Sequence, residues 1–378
     1  MSETSAIDHL FHAMVKAGAS DLHLCVGSRP TVRKDGRMQP LDPAASPLTA
    51  QDLDQLLAPI TPAVNREEFV RRHDTDFAYE IEGLARFRAN RFADRRGPGA
   101  VFRVIPSKIL TAEQLGLSKY ILNLCALTKG LVLVTGPTGS GKSTTLSAMI
   151  DYINRTRHEH IITIEDPIEF VHPNQNCLIN QREVRTHTDS FKDALRAALR
   201  EDPDIVLVGE LRDLETVAIA IETAETGHLV FGTLHTTTAP STVDRVIDQF
   251  PADRQAQIRV MLSESLKGVI AQTLCRKVGG GRVAALEVLI VTNAVSNLIR
   301  EGKTFQIPSI MQVNKAIGMV ALNDALMELV TKRLVEPAEA YSKAVDKSAF
   351  DALLKRAGFN AGAGADSARP PRPTGAPA

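Results

Sequence analysis

The spacing of apolar and polar positions changes character along the chain. The opening "MSETSAIDHLFHAMVKAG" reads as a charged, amphipathic helix. From 19 to about 106 the pattern is one of short strands with turn chemistry between them. "SDLHLCV" alternates in period two, and "TVRKDGRMQP" sets Asp35-Gly36 between two extended runs, a hairpin signal. Helical stretches at 49–58 and 62–72 follow. Then "FAYEIEGLARFRANRFADRRGPGAVFRVIP" predicts three strands, joined at Glu82-Gly83 and at 97–99. Residues 1–105 therefore predict a small α+β domain. "PSKILTAEQLGL", 106–117, interrupts the strands with Pro and Gly and predicts an interdomain linker that can act as a hinge.

Beyond the linker, strands alternate with helices. Strands are predicted at 131–135, 161–165, 205–208 and 229–234, and helices from 142, around 190–201 and around 216–226. Such a βαβ series implies an α/β fold with a mostly parallel sheet and right-handed crossovers. From 251 the pattern is helical, with "RQAQIRVMLSESLKGVIAQTL" the longest piece. A glycine turn at 279–281, a strand at 283–291 and four or so short helices to 359 complete it. The tail 361–378, "AGAGADSARPPRPTGAPA", has too few bulky apolar residues to repay the entropy of ordering, and disorder is expected there.

Composition narrows the function classes. A chain of 378 residues suffices for two domains. With 44 basic and 44 acidic residues the net charge is zero, which predicts no general affinity for nucleic acid or anionic lipid. Trp is absent and Phe plus Tyr make 4%, which argues further against a nucleic-acid motor. The apolar runs are strand-sized, below the ~20 residues of a membrane span, and no signal peptide is evident, so a cytoplasmic chain without membrane insertion is expected. Cys25, Cys125, Cys177 and Cys275 lie at least 50 residues apart, which fits neither a metal knuckle nor a disulfide framework.

The candidate chemistry begins at "GPTGSGKSTTL", 136–146, which matches GxxxxGK[ST] directly after an apolar strand and at the start of a helix. Its glycines let successive backbone N–H groups turn inward around phosphate oxygens, and the helix dipole adds to them. The expected nucleotide contacts are Gly136, Thr138, Gly139, Ser140, Gly141, Lys142, Ser143 and Thr144. Lys142 would neutralise the β and γ phosphates of ATP, and Ser143 would ligate Mg²⁺.

"DPDIVLVGE", 202–210, is an apolar strand ending in an acid, as a Walker B strand should be. Gly209 stands just before that acid, so Glu210 is the only carboxylate at the strand end, assigned to the metal shell through water. "TIEDPIEF" places Glu165, Asp166 and Glu169 past another strand end, three candidates for orienting or deprotonating the attacking water. "TGHLVFGTLHTTTA" brackets a strand with His228 and His235, and His235 is placed to sense the γ-phosphate. Arg86 and Arg88 share one strand face, with Arg95, Arg96 and Arg103 on the next turn and strand. They form either a solvated basic face or a charge supplied in trans to a neighbouring subunit's nucleotide.

Taken with "ASDLHL" and "ALREDPDIVLVGELRD", these stretches resemble the PilT family of secretion-type ATPases, the motors of type IV pilus retraction, over about 6–359. The resemblance implies a PAS-like N-terminal domain and, over 118–360, a RecA-like ATPase domain with C-terminal helices. It also implies a homohexameric ring with nucleotide sites between domains and subunits, twitching motility, and work on an inner-membrane pilus platform protein at the inner face of that membrane. Carried over by motif, Glu169 becomes the water-activating carboxylate, Glu210 the Walker B glutamate, His235 the sensor, and Arg88 and Arg103 the arginines sent towards the nucleotide.

Where retraction ATPases usually carry "AIRNLIRE", residues 294–301 read "AVSNLIRE". Val295 and Ser296 leave open a primary motor or an accessory PilU-like paralogue, which could also be a partner. Pilus assembly and type II secretion ATPases are a further alternative. They usually add a larger N-terminal region and a four-cysteine zinc insertion, and neither is found here.

Overall fold

The computed structural model describes residues 5–34, 36–105 and 108–360. Contacts divide it into two units, Met1–Ile109 with Pro167–Val171, and Leu110–Asp166 with His172–Ala378. The expected disorder of the tail concerns 361–378, which lie outside the described residues.

The first unit contains α1 (Asp8–Lys16), β1 (Asp21–Cys25), β2 (Thr31–Lys34), β3 (Arg37–Pro40), α2 (Ala50–Leu57), α3 (Ala63–Arg72), β4 (Asp74–Ile81), β5 (Ala85–Asp94) and β6 (Gly97–Ile105). The strands form one antiparallel sheet in the order β3-β2-β1-β6-β5-β4. Alternation along β5 turns Phe87 and Ala89 into the core and Arg88 to solvent. Helix α2 starts in a capping box, with the Thr49 hydroxyl accepting from the Asp52 N–H and the Asp52 carboxylate accepting from the Thr49 N–H.

The core of this unit is aromatic. Phe11 of α1 stacks on Phe87 at 4.3 Å between centroids and meets Phe102 edge-on at 4.9 Å. All three rings are fully buried. Phe11→Ala is expected to lower the stability of this unit by about 3–5 kcal/mol, read as an earlier denaturant midpoint; a loss below about 1 kcal/mol, less than the transfer of the ring alone, would mean that Phe11 does not anchor this core.

Two turns compare informatively with the sequence reading. The 31–40 hairpin forms, pairing Lys34 with Arg37 beside Gly36 at φ 79°, while Asp35 is outside the described residues. The expected turn at 97–99 is instead strand: Asp94 pairs with Gly97, and the turn falls at Arg95-Arg96. Those glycines serve packing, since a Cβ on Gly99 would lie 2.7 Å from the Phe92 ring across the pair.

The second unit begins with α4 (Lys119–Cys125), β7 (Gly130–Thr135), α5 (Lys142–Thr156), β8 (His160–Glu165), β9 (Leu178–Glu183), α6 (Phe191–Ala198), β10 (Ile205–Val208), α7 (Leu214–Glu225) and β11 (Leu229–Leu234). It continues with α8 (Ala239–Asp248), α9 (Ala252–Ser265), β12 (Leu266–Arg276) and β13 (Arg282–Ile290), then α10 (Asn293–Arg300), α11 (Ile307–Val313), α12 (Leu322–Thr331), α13 (Pro337–Lys343) and α14 (Lys347–Arg356). The sheet order is β13-β12-β7-β11-β10-β8-β9, parallel except for the β12–β13 pair. Successive residues of β7 serve opposite faces, Leu131 and Leu133 packing with α7–α10 and Val132 and Val134 with α4 and α5.

The largest departure from the sequence reading is the long helix expected from Arg254 to Leu274. It ends at Ser265, and the remainder is β12, inserted beside β7. Gly268, Val269, Ile270, Ala271 and Gln272 are all buried. A strand covered on both faces loses its period-two alternation and reads as a continuous apolar run. Helices α4 and α8 and strand β9 are not among the expected elements, and among the described residues five α-helices follow β13, in line with the four or so expected.

A buried acid fastens the C-terminal helices to the sheet. Glu287 of β13 accepts from the Ala239 N–H at 2.6 Å and from the Leu322 N–H at 3.0 Å, the first residues of α8 and α12. Burial pushes its carboxyl above the ordinary range, against the pull of those two N–H groups. Among the described residues, no helix is long and apolar enough to cross a membrane.

Candidate nucleotide site

Strand β7 delivers the chain into a loop whose glycines take positive-φ conformations that other residues adopt only at a cost. Gly136 has φ 144°, Gly139 φ 78° and Gly141 φ 87°. At Gly136 there is also no room: a Cβ would stand 2.2 Å from the main-chain oxygen of Gln272. Pro137, Thr138 and Gly139 are exposed, Ser140 is buried, and α5 starts immediately after Gly141 with Lys142, Ser143 and Thr144 half-buried on its first turn. The Lys142 ammonium donates to the Gly136 carbonyl at 2.9 Å, which holds it across the mouth of the loop. The N–H groups of the first turn of a fifteen-residue helix, with an ammonium beside them, form an anion cradle.

Two strands away, the end of β10 is held from both sides. The Gly209 N–H donates to Ile164 on β8 and the Leu211 N–H to Thr233 on β11, at 2.8 and 3.0 Å. A Cβ on Gly209 would lie 3.1 Å from the Ile164 oxygen and 3.3 Å from Glu165 Cα, so this closeness explains a glycine immediately before the strand-end acid.

Glu210 then meets two donors. His235 Nε2 at 2.8 Å and Arg212 Nε at 2.7 Å both reach its Oε1, and the imidazole is a donor here because a carboxylate only accepts. Burial by itself would raise the Glu210 pKa, but the bonds and charges of Arg212 and His235 outweigh it and hold the carboxyl below its ordinary range. Glu210 in turn raises the Arg212 pKa. The result is an ionised oxygen donor at neutral pH. Such an oxygen, with the Ser143 hydroxyl, fits Mg²⁺, which favours hard ligands and keeps several of its waters.

The other candidates are distributed as follows. His228 and His235 flank opposite ends of β11, and the His228 Nδ1 lies 3.2 Å from the Thr223 carbonyl, a helix-end contact. Glu165 accepts from Thr163 and Gln181 at 2.6 and 3.2 Å, and Asp166 lies 4.0 Å from Arg185, all in the second unit. Glu169 belongs by contact to the first unit, within Pro167–Val171. Arg88 of β5 and Arg103 of β6 are cross-strand partners, and Arg103 donates to Asp21 at 2.8 Å.

The family model "Type II/IV secretion system protein" matches residues 4–301, through both units and the whole phosphate loop. The chain belongs to that family. This secretion ATPase is 54% identical over 338 residues to the type IV pilus retraction ATPase PilT of Pseudomonas aeruginosa, covering 89% of this chain and 98% of that protein. To the type IV pilus ATPase PilU of the same organism it is 37% identical over 349 residues, 92% and 91% of the two chains. A crystal structure of the pilus retraction motor PilT with bound ADP superposes with a TM-score of 0.85 at 46% identity, covering 94% of this chain and all of that one. The fold is accordingly an N-terminal sheet domain with a RecA-like ATPase domain, and the enzyme is an ATPase of the pilus-retraction kind.

Two residues of this secretion ATPase escaped the sequence reading. Arg212 was in view in "GELRD", but nothing in spacing alone distinguishes a carboxylate's partner from a solvated arginine. Gln272 was hidden in the segment misread as helix.

Proposed function

We propose that the chain hydrolyses Mg·ATP on Lys142 and Ser143 and uses the energy to draw pilin subunits out of a type IV pilus, driving twitching motility. The observation that carries the hydrolysis reading is the Glu210–His235 pair, with His235 following β11 next to the loop strand β7 and Glu210 at the end of β10, one strand further on. Mg²⁺, held by Ser143 and through water by Glu210, would neutralise charge on the β and γ phosphates. Lys142 and the N–H groups of the loop fix the phosphates, the wider contacts being Gly136, Thr138, Gly139, Ser140, Gly141 and Thr144. Glu169 orients and deprotonates the attacking water. His235, tied to Glu210, reports loss of the γ-phosphate, because any shift of that carboxylate moves its hydrogen bond.

Six copies form a ring, with Arg88 and Arg103 supplying positive charge to the nucleotide. Closure about the segment near 106–117 transmits force to a platform protein at the inner face of the inner membrane. The substantial identity to a retraction ATPase along nearly its whole length supports the primary-motor reading.

The test is a deletion strain complemented with the parental chain or Glu169→Gln. Excess surface pili without twitching, rescued only by the parental chain, is the expected result. Normal piliation in the deletion strain would favour the accessory reading, for which Val295 and Ser296 in α10 are the sequence observation. Absent pili would favour an assembly ATPase.

A further inference from the structure

Gln272 lies on β12, one residue beyond the Ala271–Thr135 pairing with β7, and so arrives alongside Gly136. Its side chain is buried, 4% exposed, and both ends of the amide are used. Nε2 donates to the Ser140 carbonyl at 2.7 Å, and Oε1 accepts from the Thr145 hydroxyl at 2.6 Å. Thr145 is itself buried. One amide therefore spans the junction where the loop becomes helix α5, with Lys142 and Ser143 between its two anchors. The same residue sets the space around the glycines, since a Cβ on Gly141 would lie 2.8 Å from the Gln272 Nε2.

We propose that Gln272 is a positioning residue for nucleotide binding: its amide fixes the distance between Ser140 and Thr145, and so presents Lys142, Ser143 and the intervening N–H groups to the phosphates in one geometry. It touches no phosphate itself. Without it, Ser140 O and Thr145 Oγ1 lose their buried partners, and the loop samples arrangements that fit the phosphates less well, a cost met on nucleotide binding. The effect therefore falls on KM for ATP. Once nucleotide is bound the loop is held by the phosphates, and kcat changes little.

The inference rests on the nucleotide-loop reading, and the experiment separates the two. Steady-state ATPase kinetics and binding of a fluorescent ATP analogue are measured for the full-length parental chain, Lys142→Ala, Gln272→Met, Thr145→Val and the double variant Gln272→Met/Thr145→Val, with thermal melts as a check on folding. Gln272→Met is expected to raise KM and the analogue Kd about tenfold, with kcat within about twofold. Thr145→Val should raise KM about threefold, and the double variant should be no worse than Gln272→Met, because the hydroxyl acts only through the amide.

A folded Gln272→Met with parental KM, a fall in kcat at unchanged KM, or additive effects in the double variant would each overturn the proposal. Should Gln272→Met fail to fold, Thr145→Val decides: a threefold rise in KM supports the tie, and a parental KM overturns it. If the parental chain bound nucleotide no better than Lys142→Ala, the loop reading itself would fail instead.

Discussion

Glu210→Gln is expected to lower the rate of ATP turnover by about 10²–10³-fold while leaving nucleotide binding within a few-fold of the parental value. The reasons are local. A glutamine oxygen can still accept from His235 and Arg212, so the fold of the strand end survives. What disappears is the negative charge that those two groups maintain by holding the carboxyl below its usual range. A neutral amide attracts a metal-bound water weakly and leaves Arg212 with only the charge of Asp166 to oppose it. Binding depends mainly on Lys142 and the loop, which the substitution does not touch. Steady-state phosphate release beside analogue binding checks both halves, and turnover within threefold of parental would remove Glu210 from the reaction.

Gly136→Ala should be more severe for binding, weakening the affinity for an ATP analogue by 100-fold or more. Two costs coincide there. At φ 144° the backbone is in a region that side chains seldom enter, and the added carbon would lie 2.2 Å from a main-chain oxygen of β12. That oxygen cannot retreat without disturbing the β7–β12 ladder. Gly139 provides the comparison: at φ 78° it has nothing within 4 Å of a built Cβ. Only the left-handed backbone penalty applies, about 1–2 kcal/mol, so Gly139→Ala should lose roughly tenfold. Equal losses at the two positions would show that backbone conformation alone governs the loop. Melting curves confirm that each variant is folded.

The chemistry of the loop was legible because it is encoded locally. A phosphate cradle needs glycines, a lysine and a hydroxyl at fixed offsets, all within the eight residues 136–143, and an apolar strand directly before it. The parallel sheet was legible because its strands β7, β10 and β11 are short apolar runs separated by helical periods. What could not be read was set by distant partners. Strand β12 is buried on both faces by helices far away in the chain, so its pattern carries no mark of a strand. With β12 misread, the role of Gln272 against Ser140 and Thr145 was invisible. Similarly, nothing in the local sequence gives a reason for Gly209 just before the strand-end acid, and the close approach of Ile164 and Glu165 favours a glycine there. The bond from Arg103 to Asp21 joins residues 82 positions apart, and no local pattern announces it.

Glu287 has a practical bearing on how such chains can be recombined. Its single carboxylate serves the first N–H of α8, just after the His235 strand, and the first N–H of α12, in the C-terminal helices. Exchanging those helices with a paralogue's by a junction between β13 and α12 would pair this acid with a foreign helix start, and a mismatch would bury an unanswered carboxylate oxygen or an orphaned N–H. The segment from α8 to α14 is therefore best inherited as one block, and crossovers that respect it are the ones from which folded hybrids should be recovered.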